Sequence, residues 1–343
     1  MVDSEPTLEE WSRLYEAAIG VKAMAPWDWM QEGDIFGVQN PENSEIGFVG
    51  VMGGLGEHLS VAVYLDAGAL SDFWTLYQFG DEAPAEAVLE IRHLQASFED
   101  REMLTSKDRG IIKDLGLRFR GRQAWPLFRS YRSGYVPWHL EAWEVRFLAH
   151  ALEQTMEVGP RLKKAPTILD DLDTEDYLVR VPRKGGQVRQ WEDQIVQVEP
   201  VDRPPITIKL TLETLQQAQQ LPQTTHSLEV EAFMTSMPIA DEEGQRPYFP
   251  HMLLVVERDS GMVLGSELLR PKANLEATWG SLANALLHLF VNLGSVPAEI
   301  RVRTPLEARL FEPLSDELGM AVEVAGALRS LDQAKGFMGR FVA

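Results

Sequence analysis

The stretch FVGVMGGLGEHLSVAVYL, residues 48–65, decides how the first half of the chain folds. Gly50, Gly53, Gly54 and Gly56 crowd it, so it is either a phosphate-cradling loop or a tight turn. A dinucleotide fingerprint needs Gly-x-Gly-x-x-Gly running into a helix, because the pyrophosphate rests on the helix N-terminus. Here the order is Gly50-x-x-Gly53-Gly54-x-Gly56, and the residues after it alternate: His58, Ser60, Ala62 and Tyr64 against Leu59, Val61, Val63 and Leu65. A period of two is a strand. No Lys-Ser/Thr comes after the glycines, so a P-loop is excluded as well. The segment reads as a β-hairpin whose glycines supply positive φ.

Working outward, residues 7–20 (TLEEWSRLYEAAIG) have Thr7 and Glu10 at capping-box spacing and Trp11, Leu14 and Ala18 on one face, which predicts a helix. Asn40-Pro41 marks a turn between two strand-like runs. Residues 68–79 predict a short helix with Leu70, Phe73, Trp74 and Tyr77 inward, and EAVLEIRHLQASFED predicts a strand. A short helix closed by Gly116, a strand over LRFRG, and a long helix from Pro137 with Leu140, Trp143, Phe147, Leu148 and Leu152 as its stripe complete this part. Composition shifts at Gly159. The expected division is therefore an α+β domain over 1–160, with a β-hairpin and an antiparallel sheet, and a second domain over 161–343. The second opens with a hairpin turning at Gly185-Gly186, and its pattern is sharpest from 248. There a hairpin with Asp259-Ser260-Gly261 as its turn precedes α-β-α-β-α, which predicts an α/β fold on a mixed sheet.

The 343 residues contain no cysteine, so disulfides, thiolate nucleophiles and cysteine metal sites are excluded. The acidic start MVDSEPTLEEW lacks the basic and apolar regions of a signal peptide, no run approaches the length of a membrane helix, and a cytoplasmic protein without a membrane partner is expected. Net charge is −20, yet residues 107–138 hold eight Lys or Arg against Asp108 and Asp114. That segment is +6 and leaves −26 on the remainder.

Within it, Arg118, Arg120, Arg122, Arg129 and Arg132 interleave with Phe119, Trp125, Phe128, Tyr131, Tyr135 and Trp138. Arg118, Arg120 and Arg122 would share one side of a strand. Guanidinium forks beside aromatic planes suit phosphates and unstacked bases. They equally suit carboxylates, from inside an acidic protein or on an acidic partner. The candidate anion site is Arg118, Arg120, Arg122, Arg129, Arg132, Trp125, Tyr131 and Glu144. Glu144 belongs because it falls on the apolar side of its helix and needs a cationic partner, an arginine of 118–132. An acidic protein surface or a phosphorylated ligand is the expected partner, ahead of nucleic acid.

No catalytic set emerges. DDLDTED (170–176) lacks the Gly and Glu of a calcium loop, the seven histidines show no ligand spacing, and no Gly-x-Ser-x-Gly elbow is present. No metal or cofactor is expected. A non-catalytic binding or adaptor protein is the leading expectation. The alternative is a hydrolase for a phosphorylated or acidic substrate, with a site assembled from Arg, Glu and His139 in three dimensions.

GFVGVMGGLGEHLSVAVYLDAGAL, LQASFEDREML, KDLGLRFRGRQAWPLFRSYRSGYVPW and the strand pair around Asp259 resemble an uncharacterised two-domain bacterial family with domains of unknown function at both ends. VVERDSGMVLG, EIRVRTPLEARLF and KGFMGRF are similar to the three motif regions of a ribonuclease-H-like, integrase-type core. That likeness implies carboxylates on a first strand, a later strand and a late helix, holding two magnesium ions. Glu257 stands at the first position, but Arg303 and Gly339 stand at the other two. The likeness thus implies a scaffold that has lost its catalysis.

Overall fold

The computed structural model describes residues 5–80, 85–169, 175–183, 190–199, 201, 206–242, 244–272 and 275–342. The chain forms two compact units, Met1–Arg132 with Pro137–Asp202, and Ser133–Val136 with Arg203–Ala343.

In the first unit, α1 (Leu8–Met24) begins at the expected capping box, with Trp11, Leu14 and Ala18 buried. Strands β1 (Phe36–Gln39), β2 (Ile46–Met52) and β3 (Ser60–Tyr64) come next. β2 and β3 pair antiparallel from Phe48↔Tyr64 to Met52↔Ser60, so the opening glycines do close a hairpin. Gly53 (φ 122°) and Gly56 (φ 80°) take the left-handed backbone that the turn requires. After α2 (Ala67–Phe79), β4 (His93–Glu99) and α3 (Ser106–Asp114) lead to β5 (Trp125–Tyr131) and the long α4 (Ala142–Lys164). A last hairpin, β6 (Asp176–Pro182) and β7 (Trp191–Gln197), completes a seven-stranded sheet ordered β5-β4-β3-β2-β1-β6-β7.

Three expectations need correction. The boundary at 160 falls inside α4, and the hairpin assigned to the second domain belongs to the first, because β6 pairs parallel with β1 through Gly37↔Val179. Leu178 and Val179 are buried there, so the apolar content of β6 is core of the first unit. Second, LRFRG is not a strand; the residues between α3 and β5 form a loop. Third, α4 starts at Ala142 rather than Pro137, with Glu141 as N-cap. The turn expected at Gly185-Gly186 lies outside the described residues.

α1 and α4 cover one face of this sheet, burying Leu14, Val21, Phe147, Leu148 and Leu152 against Val49, Val61, Leu94 and Phe98. α2 covers part of the other, through Leu70 and Phe73 against Phe48 and Tyr64. At the edge, the Ser130 and Trp138 backbones exchange hydrogen bonds of 2.8 and 3.0 Å, so alternate residues of β5 point their backbone outward. One of those positions is Pro126, which has no N–H to offer an incoming strand.

The second unit holds α5 (Leu212–Gln219), β8 (Ser227–Met234), β9 (His251–Glu257), β10 (Val263–Leu269), α6 (Leu275–Trp279), α7 (Leu282–Leu293), β11 (Glu299–Val302), α8 (Pro305–Leu318), β12 (Ala321–Val324) and α9 (Arg329–Val342). Its sheet runs β10-β9-β8-β11-β12. The β8-β9-β10 pairs are antiparallel, whereas β11 lies parallel to both β8 and β12. This is the expected mixed sheet. α7 and α8 pack on one face through Leu286, Phe290, Phe311 and Leu314, and α9 on the other through Leu331 and Ala334.

Candidate functional site

The basic segment divides into an inner and an outer half. β5 carries Arg129, whose Nη1 and Nη2 donate to Asp108 Oδ1 and Oδ2 at 2.9 and 2.7 Å. Asp108 is there because it closes the capping box of α3, accepting from the Thr105 amide and hydroxyl at 2.8 and 2.7 Å. His139 Nδ1 stands 3.5 Å from the same carboxylate. Both ion-pair side chains are close to dry, at 13% and 9% exposure. Burial pushes the Asp108 carboxyl up, but the bonds from Arg129, His139 and Thr105 outweigh it and hold the group far below the ordinary carboxylate range.

Arg132 donates to Glu141 and lies 3.6 Å from Glu144 Oε1. Glu144 is 1% exposed, so an arginine of 118–132 does meet the buried carboxylate of α4. Glu144 also accepts from Ser130 Oγ and from the Glu141 amide, both at 2.8 Å. Burial raises its pKa, and these partners lower it only in part. Tyr131 stacks on the buried His93 with ring centroids 4.0 Å apart. Trp125 meets Phe119 edge-on and the guanidinium of Arg101 at 5.8 Å. Arg129, Arg132, Tyr131, Trp125 and Glu144 therefore tie β5 to α3, α4 and the core, and are not a vacant anion site.

The outer half is the loop from Leu117 to Ala124. Leu117 and Phe119 pack inward, while Arg118, Arg120 and Arg122 are exposed. Gly121 (φ 102°) and Gln123 (φ 49°) shape it. The Gln123 amide N–H donates to Asp100 Oδ1 at 2.8 Å, and its side-chain amide donates to the Gly56 and Glu57 carbonyls at 3.0 and 3.1 Å. The arginine loop is thus fastened to the tip of the opening hairpin. Arg122 Nε is 3.9 Å from Asp100 Oδ2 with its side chain 91% exposed. Among the described residues, Arg118 and Arg120 have no carboxylate within ion-pair distance. The eight candidate residues therefore do not converge.

Sequence reasoning missed Asp108 and Thr105, although Thr105-x-x-Asp108 has capping-box spacing. It also missed a cluster in the second unit. Arg303 Nε and Nη2 donate to Glu231 Oε1 and Oε2 at 3.0 and 2.9 Å, and Nη2 reaches Asp332 of α9. Lys335 Nζ adds a bond of 3.2 Å to Glu231. Glu231 sits on the central strand β8, whereas Glu257, expected on the first strand, ends β9 and accepts the Asp259 and Ser260 amides at 3.2 and 2.6 Å. Its role is to cap the β9–β10 turn. Of the acidic run 170–176, only Glu175 and Asp176 are described; Asp170, Asp171 and Asp173 lie outside the described residues. Among the described residues, no three His, Asp or Glu side chains group so as to hold a metal ion, and no helix is long and apolar enough to cross a membrane.

Two family comparisons match the chain. Residues 11–180 match a domain of unknown function (DUF7309), and residues 214–339 match a second domain of unknown function (DUF6930). The chain belongs to an uncharacterised two-domain family built from these two domains. No curated protein matches it.

Proposed function

We propose that the protein is a non-catalytic binding or adaptor protein whose loop Arg118–Arg120–Arg122 meets an acidic segment of a partner protein. One observation carries this reading. In a chain of net charge −20, three exposed guanidinium groups share a fastened loop and, among the described residues, have a single carboxylate, Asp100, at the limit of ion-pair distance. Unpaired cations on an acidic protein raise the encounter rate with anions and select against basic partners. Arg129 and Arg132 serve by holding that surface in place.

In the second unit the strand order and the α-β-α-β-α succession support a ribonuclease-H-like scaffold. Arg303, placed between Glu231 and Asp332, supplies positive charge where that likeness implies metal ions.

The test uses fluorescence anisotropy at low salt with a labelled oligo-glutamate peptide, its phosphoserine counterpart and a single-stranded oligonucleotide. The acidic peptide should bind in a salt-sensitive manner. The R118E/R120E/R122E variant should weaken it by at least about tenfold, or about 1.4 kcal/mol. Absence of binding by any probe, equal binding by the variant, or preference for the oligonucleotide would overturn the proposal.

A further inference from the structure

The second unit contains a cleft of about 400 Å³. Its walls come from the segment before α5 and from the α6–α7 junction, and include Thr207, Lys209, Lys272, Glu276, Ser281 and Asn284. The walls are held together by backbone contacts and by side-chain bonds to backbone amides. The Lys209 amide donates to the Gly280 carbonyl at 3.2 Å, and a Cβ on Gly280 would fall 2.4 Å from the Thr207 carbonyl. Glycine is required there for the two backbone segments to approach so closely. Asn284 Oδ1 accepts the Thr211 amide at 2.8 Å, and Thr278 Oγ1 accepts the Lys272 amide at 2.9 Å.

The ammonium groups of Lys209 and Lys272 are exposed. Among the described residues neither has a carboxylate within ion-pair distance. In a chain of net charge −20, two lysines lining one recess without acidic partners are an uncommon concentration of positive charge. The starts of α5 and α7 line the same space, at Thr211 and Ser281. Neither N-cap side chain bonds to its own helix, and Ser281 Oγ donates instead to the Thr278 carbonyl at 2.7 Å. Their partial positive ends reinforce the lysines. The cleft lies in the size range of small-molecule sites and is larger than a bare phosphate needs. Among the described wall residues Glu276 is the one acid, and the side chains of Thr207 and Asn284 add hydrogen-bonding groups that suit hydroxyls.

We infer that this cleft binds a small phosphomonoester carrying hydroxyl groups, of the size of a sugar phosphate, with Lys209 and Lys272 on the phosphate. The site is independent of the arginine loop. Calorimetry with glucose 6-phosphate, inorganic phosphate and glucose tests it. Glucose 6-phosphate should bind saturably, inorganic phosphate more weakly, and glucose not at all. Because both lysines are exposed, K209A/K272A should keep its melting temperature and lose at least about tenfold in affinity for glucose 6-phosphate. R118E/R120E/R122E should bind it as the parent does. No saturable heat with either phosphate, unchanged binding in K209A/K272A, glucose binding as well as its phosphate, or loss in the loop variant alone would each overturn the inference.

Discussion

Replacing Asp108 by Asn tests whether the inner arginines are structural ties. The change keeps the shape of the side chain and its ability to accept from Thr105, but removes the charge opposite Arg129. Two bonds between opposite charges, at 2.9 and 2.7 Å, become one bond from the guanidinium to a neutral acceptor and one mismatched contact. Each such exchange costs about 1 kcal/mol, the difference between a bond to a charged group and a neutral one. Leaving Arg129, whose side chain is 13% exposed, without a counter-charge adds about another 1 kcal/mol, so D108N should lose about 3 kcal/mol. For a unit of this size that lowers the melting temperature by about 6–12 °C.

Tryptophan fluorescence reads the first unit almost alone, since eight of the nine tryptophans lie in it and only Trp279 lies in the second. Urea titrations of D108N, R129M and the double variant close a cycle in which the double variant should lose clearly less than the two singles added together. The pH dependence has a fixed sign. The folded pKa of Asp108 is depressed, so its contribution is complete above the unfolded value near 4 and disappears only as pH falls through the folded value. The D108N deficit should therefore be constant from about pH 5 to 8. A deficit under about 1 kcal/mol, or strict additivity in the cycle, would refute the assignment of Arg129 as an internal tie.

Other outcomes concern neighbouring groups. Burial, offset in part by bonds to Ile91 and Gln95, depresses His93 to about 4. A neutral buried histidine makes folding less favourable as pH falls from about 6.5 towards 4, and H93Q should remove that decline from urea titrations. Glu144 behaves oppositely. Its raised pKa means stability is gained as pH drops through the folded value, and E144Q should flatten that gain in the same measurement. R118E/R120E/R122E removes only exposed groups, so its stability should stay within about 0.5 kcal/mol of the parent while peptide binding is lost. R303M deprives Glu231, 8% exposed, of its bidentate partner but leaves Lys335; a loss of about 2 kcal/mol is expected, read by circular dichroism as an earlier transition of the second unit.

Local periodicity made most of the fold legible. The Thr7–Glu10 box, the glycine hairpin and the α-β-α-β-α succession each rest on residues within a few positions of one another, and each formed as expected. The domain boundary was not legible, because the decision is made by a pairing of β1 with β6 about 140 residues apart. Nothing in the composition change at Gly159 reports that Leu178 and Val179 finish a sheet begun at Phe36. The arginine segment failed for a related reason. Alternation in LRFRG predicts a strand, and Leu117 and Phe119 do face inward with arginines outward, but no neighbouring strand pairs with them. The need of Glu144 for a cation was readable from its place on an apolar stripe; that the cation would be Arg132, and that Arg129 would turn to α3, depends on the path of the chain after Tyr131.

The use of arginine across the first unit gives that division its meaning. Arg13 of α1 holds Glu153 of α4 at 2.7 Å. Arg146 of α4 binds Glu10 of α1 and Glu42 beyond β1, and Arg161 and Arg180 share Asp193 of β7. In each case guanidinium and carboxylate join separate elements of the unit, as Arg129 does with Asp108 and Arg132 with Glu141 and Glu144. An acidic chain that folds this way draws its arginines inward, since every cation placed between two carboxylates relieves repulsion that would otherwise oppose compaction. Arg118 and Arg120 depart from that habit although acidic side chains are plentiful on the same unit. Their loop is fixed at Gln123 in a backbone conformation that keeps them outward, and a loop so held presents charge to something other than its own chain.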